Sequence, residues 1–265
     1  RSSFLYPVNQ VDQDLSSEIK VIGIKGIPEV KLGDDLASLI TDSIQRQGIK
    51  IMNKDVIVVT HKIVSKAEGR LVDLKKIKPS YFALKISKRR KKDPRMVEVI
   101  LREAKRIVRM ERGVIIAETR HGFICANAGV DKSNVKGEDM VSLLPLNPDK
   151  SAELIRNEIK RRLKADVAVI ISDTFGRPWR EGQTNIAIGV AGLEPILDYR
   201  GKRDSYGYTL KVTAIAIADE LASAAELVMG KVGMVPVAII RGYQYTEGEG
   251  SAKSLIRPRS RDLFS

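Results

Sequence analysis

The chain has 265 residues, of which 43% are hydrophobic and 30% charged, and its formal net charge at pH 7 is +13. This composition is typical of a globular protein with a substantial core, and the single cysteine excludes a disulfide framework and a cysteine-based zinc site. No apolar run is long enough to span a membrane and the first residues lack a secretory signal pattern, so we expect a cytoplasmic protein without a membrane partner.

Apolar periodicity predicts the first elements of the chain. We predict an N-terminal extension over residues 1–18 and one domain over residues 19–265, with two intertwined subdomains as the alternative. Alternating apolar residues predict a strand over residues 20–26, and helical spacing predicts a helix over residues 34–47. A continuous apolar run predicts a buried strand over residues 55–60.

The middle of the chain is rich in Lys and Arg. Apolar residues at helical spacing predict that residues 79–112 are helical, with a break at Asp93-Pro94. Strands are predicted next over residues 113–119 and 123–126. Cys125 is expected to be a small buried hydrophobe.

The second half of the chain alternates between strand and helix patterns. Helices are predicted over residues 151–163 and 218–229. Strands are predicted over residues 167–171, 187–190, 209–216 and 235–240. The whole pattern indicates a mixed α/β (α+β) fold of sheets with flanking helices.

Polar side chains directly follow the buried strand at residues 167–171. Asp173 and Thr174 offer hard oxygen ligands for a divalent cation, while Arg177 and Arg180 suit an anion. Ligand sites of α/β sheets lie beyond the carboxyl ends of strands, which favours a site over the alternative, a strand-end turn with a structural ion pair.

Other junctions carry similar chemistry. Lys62 and Lys66, beside His61, offer a pair of ammonium groups to phosphates, although a plain surface loop with a helix start explains these residues equally. Residues 127–134 include Asp131 and side-chain amides that could bind a divalent ion. An ordinary Asp-Asn turn is the alternative interpretation of this segment. Two carboxylates and a hydroxyl suit Mg²⁺ or Mn²⁺ bound with polyphosphate, so the residues alone predict a metal-dependent enzyme acting on phosphorylated anions.

Two further segments are candidates for nucleotide contacts. Residues 26–30 suit backbone contacts with a flat ring, and residues 229–233 form either a phosphate-facing turn or a simple helix C-cap. The sequence contains no Walker A motif and no Gly-x-Gly-x-x-Gly, so any nucleotide is held by another loop arrangement. A different class, a non-catalytic RNA-binding protein, would use the basic face of residues 85–112, although RNA-module aromatics are missing there.

Five separated segments, in the right order, resemble the glutamate ligases that extend the deazaflavin coenzyme F420. These segments are residues 62–70, 127–134, 172–192, 198–207 and 218–231.

The resemblance covers about residues 20–257. It implies a GTP-dependent ligase that joins L-glutamate to the lactyl carboxylate of coenzyme F420-0 and then adds a γ-linked glutamate, through an acyl-phosphate intermediate. It also implies a mixed α/β fold that forms a homodimer, with the nucleotide near the interface. The implied cofactors are Mn²⁺ or Mg²⁺ and K⁺. Glutamylation of another acceptor, such as a folate, is the alternative within the family.

The resemblance implies roles for individual residues. Asp131, Asp173 and Thr174 match divalent-metal ligands. Within the implied mechanism, our own candidates for neutralising further phosphate charge are Lys62 and Lys66, and our candidates for holding the acidic substrate arms are Arg177 and Arg180. The residues that match nucleotide contacts are Ile27, Pro28, Glu29, Val30, His61, Lys62, Lys66, Asn134, Met229, Gly230, Lys231 and Val232.

Two positions depart from the family pattern. Lys231 stands where some members place an acidic or amide metal ligand, and a protonated lysine cannot ligate a divalent ion. A second metal site is therefore in question, and the Lys231 ammonium is expected beside the phosphates instead. Asn185 stands where an acidic residue is expected.

Overall fold

The computed structural model describes residues 18–262. The predicted N-terminal extension lies outside the described residues, apart from Glu18. The described strands are β1 (Lys20–Ile24), β2 (Val56–Thr60), β3 (Leu71–Asp73), β4 (Ala104–Glu111), β5 (Val114–Thr119), β6 (Ile124–Ala126), β7 (Met140–Ser142), β8 (Ala168–Arg177), β9 (Arg180–Ala191), β10 (Leu197–Asp198), β11 (Ala214–Ile215) and β12 (Val237–Arg241). The α-helices are α1 (Leu36–Arg46), α2 (His61–Ala67), α3 (Tyr81–Arg90), α4 (Pro94–Glu103), α5 (Pro148–Leu163) and α6 (Ile217–Met229).

A five-stranded sheet forms the centre of the fold, with strand order β1-β12-β2-β8-β9. Strands β2 and β8 are parallel and the other neighbours are antiparallel. The continuous apolar runs of β2 and β8 are explained by burial, because Ile57 and Val169, which are register partners, are both fully buried. Helices α5 and α6 pack against β9 and neighbouring strands of this sheet.

A second apolar cluster lies around the smaller sheet β4-β5-β6 and helices α3 and α4. Val97 and Ile100 of α4 and Ile115 of β5 are fully buried in it. Short two-stranded sheets, β3-β7 and β10-β11, complete the fold. The predicted mixed α/β class with sheets and flanking helices is therefore confirmed. Within the described residues, no helix is both long and apolar enough to cross a bilayer.

The prediction that residues 79–112 are helical throughout was wrong. The break was placed correctly, because Asp93 caps α4, its carboxylate accepting the Arg95 N–H at 2.8 Å, and Pro94 begins the helix. The helix ends at Glu103, however, and Ala104–Glu111 forms strand β4, antiparallel to β5. Pairing with β5 provides hydrogen-bond partners for the backbone of β4. This tertiary pairing decides the structure of the segment, although its apolar residues also have helical spacing.

The predicted end of a strand at residue 171 is also corrected by the structure. Strand β8 continues to Arg177, and a tight hairpin leads directly into β9, so Asp173 and Thr174 lie on a strand. The strand predicted over residues 187–190 is the end of this longer β9. Of the strand predicted over residues 209–216, only Ala214–Ile215 forms, and β3 and β7 were not predicted. Strands this short carry too few alternating residues for a period of two to be recognised.

Candidate active site

A cavity of about 860 Å³ lies where β2 and β8 end. The two strands run parallel with Thr60 opposite Ser172, so His61 and Asp173 follow at the same edge of the sheet. The remaining walls come from the segment after β1, the loop after β6 and the loop after α6. The volume suits a ligand of nucleotide size.

Lys62, in the first turn of α2, holds Asp131 in the cavity wall. The Lys62 ammonium donates to Asp131 Oδ2 at 2.6 Å and to Ser142 Oγ at 2.9 Å. Burial raises the pKa of Asp131, but hydrogen bonds from Lys62 and Ser133 outweigh it and lower the pKa to about 2. Asp131 is therefore ionised near neutral pH, as metal binding requires.

Asp173 is held from two sides. The side chain of His61 is buried, and its Nε2 atom lies 3.1 Å from Asp173 Oδ1. The Thr174 N–H donates to the same oxygen at 2.7 Å. Consecutive residues of α2, His61 and Lys62, thus contact the two carboxylates predicted to bind metal. The β2–α2 junction is the element that positions both acids.

Lys66 links α2 to the segment after β1. Its buried ammonium donates to Glu29 Oε1 at 2.7 Å, while the Glu29 side chain is 54% exposed. Because Glu29 retains contact with water, Lys66 can exchange it for a phosphate without leaving a buried carboxylate unpaired. Two segments predicted for nucleotide contacts therefore meet in one wall of the cavity.

Thr174 belongs to a ring of four polar side chains. The Lys231 ammonium donates to Thr174 Oγ1 at 2.6 Å and lies 2.9 Å from Glu226 Oε1. The Thr174 hydroxyl donates to Asn185 Oδ1 at 2.7 Å, and Asn185 Nδ2 donates to Glu226 Oε2 at 2.8 Å. Each member thus has at least two partners in the ring.

Cys125 lines the cavity but is not suited to nucleophilic catalysis. It is buried, as predicted. Burial, together with the nearby Asp173 carboxylate, raises the pKa of its thiol to about 12, so the reactive thiolate is not formed near neutral pH.

The structure brings most of the predicted site residues together and leaves three of them outside the cavity wall. Arg177 lies in the β8–β9 hairpin, where its guanidinium donates to the Glu181 carbonyl at 2.6 Å. Arg180 is exposed, and Val232 is 95% exposed. The predicted residues in the wall are Ile27, Pro28, Glu29, Val30, His61, Lys62, Lys66, Asp131, Asn134, Asp173, Thr174, Met229, Gly230 and Lys231.

The donor set fits a divalent ion only when other ligands accompany it. Asp131, Asp173 and Thr174 line one cavity, yet each already has a basic partner, and residues 18–262 contain no cluster of three His, Cys, Asp or Glu side chains able to hold a metal ion. Mg²⁺ and Mn²⁺ are commonly held by one or two carboxylates together with substrate phosphates and water. The cavity therefore suits a divalent ion delivered with a polyphosphate.

Sequence reasoning missed two residues of this network. Glu226 contacts two members of the ring, Asn185 and Lys231. Ser142 accepts a hydrogen bond from the Lys62 ammonium. Glu226 lies in the last turn of α6, where the helix dipole disfavours a carboxylate, and this placement is a signal of a further role. Ser142 lies on the unpredicted strand β7 and carries no comparable signal.

The basic stretch over residues 85–112 does not form one helical face. It is divided among α3, α4 and β4. Part of its charge is neutralised, since Arg102 pairs with Glu98 at 2.9 Å and Arg106 pairs with Glu118 at 2.6 Å. The RNA-binding alternative thereby loses the continuous surface on which it was based.

Comparison with known proteins agrees with the sequence resemblance. A profile of the family described as F420-0:gamma-glutamyl ligase matches residues 23–242. The chain is 49% identical to the coenzyme F420:L-glutamate ligase of Methanothermobacter thermautotrophicus, over 93% of this chain and 98% of the relative. It is 46% identical to the enzyme of that name from Methanocaldococcus jannaschii, over 93% and 97%, and 48% identical to that from Methanopyrus kandleri, over 89% and 93%. The chain therefore belongs to the F420-0:gamma-glutamyl ligase family.

Proposed function

We propose that this protein joins L-glutamate to the lactyl carboxylate of coenzyme F420-0 at the expense of GTP, and then adds a second glutamate in γ linkage. The names of the relatives support the acceptor and the amino acid. The observation that carries the proposal is that one cavity wall combines Asp131 and Asp173 with three ammonium groups, those of Lys62, Lys66 and Lys231. In the structure these ammonium groups pair with Asp131, Glu29 and Glu226 respectively. This set matches the charges of a nucleotide triphosphate and its metal.

The proposed reaction has two steps. An oxygen of the acceptor carboxylate attacks the γ-phosphorus of GTP, GDP leaves, and an acyl phosphate forms. The amine of glutamate then attacks the acyl carbon, phosphate leaves, and the amine loses a proton as the amide forms. Both steps concentrate negative charge on phosphate oxygens, so positively charged groups held in place beforehand supply the main stabilisation.

The residues of the chain have distinct tasks in this proposal. Lys66 exchanges Glu29 for a phosphate, whereas Lys62 stays with Asp131 and fixes that carboxylate. Asp131 and Asp173 would hold Mn²⁺ or Mg²⁺, which when bound would neutralise phosphate charge and orient the γ-phosphate. The hydroxyl of Thr174, the third predicted ligand, is already bonded to Lys231 and Asn185. The ring portion of the nucleotide would lie against residues 27–30.

The acidic arms of the substrates need a separate cationic surface. Arg177 and Arg180 lie at the turn of the β8–β9 hairpin, outside the cavity wall. We propose that they contact the acidic tail of the acceptor or glutamate, which would then extend from the cavity along the hairpin. Arg180 is exposed at the start of β9, so its side chain is accessible for this contact.

A homodimer with the nucleotide near its interface is part of the proposal. Three exposed apolar side chains lie at the end of α6 and in the following loop: Leu227 is 84% exposed, Val232 is 95% and Met234 is 72%. Met234 also lines the cavity. We call these three residues the apolar rim. Exposed apolar surface beside a ligand cavity favours a protein interface there.

A mass-resolved ligation assay tests the proposed function. Purified protein is supplied with GTP, Mn²⁺, K⁺, L-glutamate and either F420-0 or a monoglutamyl folate. We expect glutamate mass to be added to F420-0, and the number of additions gives the product length. Addition to the folate alone would retain the chemistry and change the acceptor, whereas no addition to either with no GDP formed would refute the ligase proposal.

The same assay tests the cofactors. Replacing Mn²⁺ with a chelator should abolish GDP formation. Replacing K⁺ with choline should lower the rate, and an unchanged rate would remove K⁺ from the proposal. An ATP arm determines whether GTP is preferred over another nucleotide.

A further inference from the structure

The side chains of Thr174, Asn185, Glu226 and Lys231 form a closed ring of hydrogen bonds and an ion pair at the cavity wall. The Thr174 hydroxyl proton is used on Asn185, so the Thr174 oxygen accepts from Lys231. The two Glu226 oxygens accept from Lys231 and Asn185 respectively. The Lys231 ammonium therefore has two close oxygen partners, on Thr174 and Glu226, and the Asn185 amide oxygen lies farther away, at 3.4 Å.

A convergence of a carboxylate, an amide oxygen and a hydroxyl is the donor set that Mg²⁺ and Mn²⁺ also prefer. In this chain the position is taken by an ammonium. The pair of Lys231 with Glu226 has no net charge, so the ring as a whole is neutral. A divalent ion added there would meet a cation at hydrogen-bond distance from the same oxygens.

We infer that Lys231 is a built-in cation that fills this oxygen cluster, so that the cavity takes one divalent ion, at Asp131 and Asp173, rather than two. The inference rests on the proposed use of a nucleotide triphosphate with a divalent ion. Lys231 lies 3.4 Å from Asn185 Oδ1, a long contact, so its third N–H is available for a phosphate oxygen. Its side chain is 52% exposed, which leaves the ammonium accessible from the cavity.

The stoichiometry of bound Mn²⁺ tests the inference without any catalytic turnover. The protein is saturated with a non-hydrolysable GTP analogue, and bound Mn²⁺ per chain is measured by equilibrium dialysis and elemental analysis. Wild type should bind one ion per chain. Lys231→Gln should bind two, because the substitution removes the competing charge and leaves the oxygens of Thr174 and Glu226 available.

Two further variants make the result specific to the charge at this position. Lys231→Arg keeps a cation and should bind one ion. Lys160→Gln removes an ammonium from another ion pair, with Asp166 at 2.6 Å, and should also bind one. Thermal melts of the four proteins show that each is folded under the conditions of dialysis.

The outcomes separate this inference from the proposed function. Two ions per chain in wild type, or one in Lys231→Gln, would refute the role of Lys231 and leave the ligase proposal standing. Binding of neither nucleotide nor Mn²⁺ by folded wild type would refute both. One ion in wild type and two in Lys231→Gln would support the inference whatever acceptor the enzyme uses.

Discussion

At the scale of single residues, Asp173 is the position where the proposed function is most easily tested. Its carboxylate accepts from the Thr174 N–H and lies 3.1 Å from His61 Nε2, and an amide oxygen can keep the first of these contacts. Asp173→Asn should therefore fold normally while losing the charge that a divalent ion requires. We expect turnover to fall at least about 100-fold, since lost metal electrostatics cost several kcal/mol.

The measurement is the rate of GDP formation, accompanied by Mn²⁺ binding in the presence of a GTP analogue. Asp198→Asn is the control, because Asp198 forms an exposed pair with Arg200 and does not line the cavity. The control should stay close to wild type in both readouts. Turnover of Asp173→Asn within about threefold of wild type would exclude the metal role.

At the scale of elements, the first turn of α5 packs against β9 so closely that glycine is required. A Cβ atom at Gly189 would lie 2.4 Å from the Pro148 carbonyl oxygen. Asp149 completes this junction by accepting the Val190 N–H at 2.9 Å. Because the clash is with backbone, Gly189→Ala forces the helix and strand apart, at a cost of about 1–3 kcal/mol.

The expected result is a Tm roughly 3–10 °C below that of wild type. Gly176→Ala is the matched control in the same hairpin, since a Cβ there meets no heavy atom within 4 Å. Its Tm should stay near that of wild type. Equal Tm values for the two variants would show that α5 can shift at no cost.

A second element-scale prediction concerns how β5 holds β4 and the end of the described chain. Glu118 is almost fully buried, and its carboxylate forms salt bridges with three basic side chains: Lys105 Nζ at 2.9 Å, Arg106 Nε at 2.6 Å and Arg259 Nη2 at 3.3 Å. The hydrogen bond from Lys105, followed by that from Arg106, lowers the pKa of Glu118 to about 2. A lowered folded-state pKa stabilises the fold above the unfolded pKa of about 4.3, and this contribution is lost as the pH falls toward 2.

Glu118→Gln should therefore lower the free energy of unfolding at pH 7 by about 1–3 kcal/mol. The Tm difference between wild type and the variant should be smaller at pH 3 than at pH 7, because wild type loses part of its advantage in acid. Melts by circular dichroism at the two pH values measure it. A difference that is the same at both would show that the ionised carboxylate is not what stabilises the sheet.

At the scale of the whole molecule, local signals predicted the elements and distant contacts completed the site. The buried strands, the helix break at Asp93-Pro94 and the polar residues that follow β2 and enter β8 could be predicted, because each signal depends on neighbouring residues. The bond between Lys62 and Asp131 joins residues 69 positions apart, and that between Lys231 and Thr174 joins residues 57 apart. Only the folded chain shows such pairs, just as only pairing with β5 shows that residues after 103 form a strand.

The proposed dimer is a property of the whole molecule and depends on the apolar rim. Leu227 is 84% exposed on α6, and burying a leucine side chain contributes about 1.5–3 kcal/mol. In a two-fold interface each substitution occurs twice, so Leu227→Glu would place two carboxylates in the contact. We expect wild type to sediment as a dimer and Leu227→Glu as a monomer with an unchanged circular dichroism spectrum.

Leu154→Glu is the matched control for this prediction, because Leu154 is 58% exposed on α5, outside the apolar rim. It should sediment as wild type does. If both leucine variants remain dimeric, the interface lies on another face of the protein. If wild type itself is a monomer at the concentrations used for catalysis, the cavity must bind its nucleotide within one chain, and the apolar rim then needs another explanation.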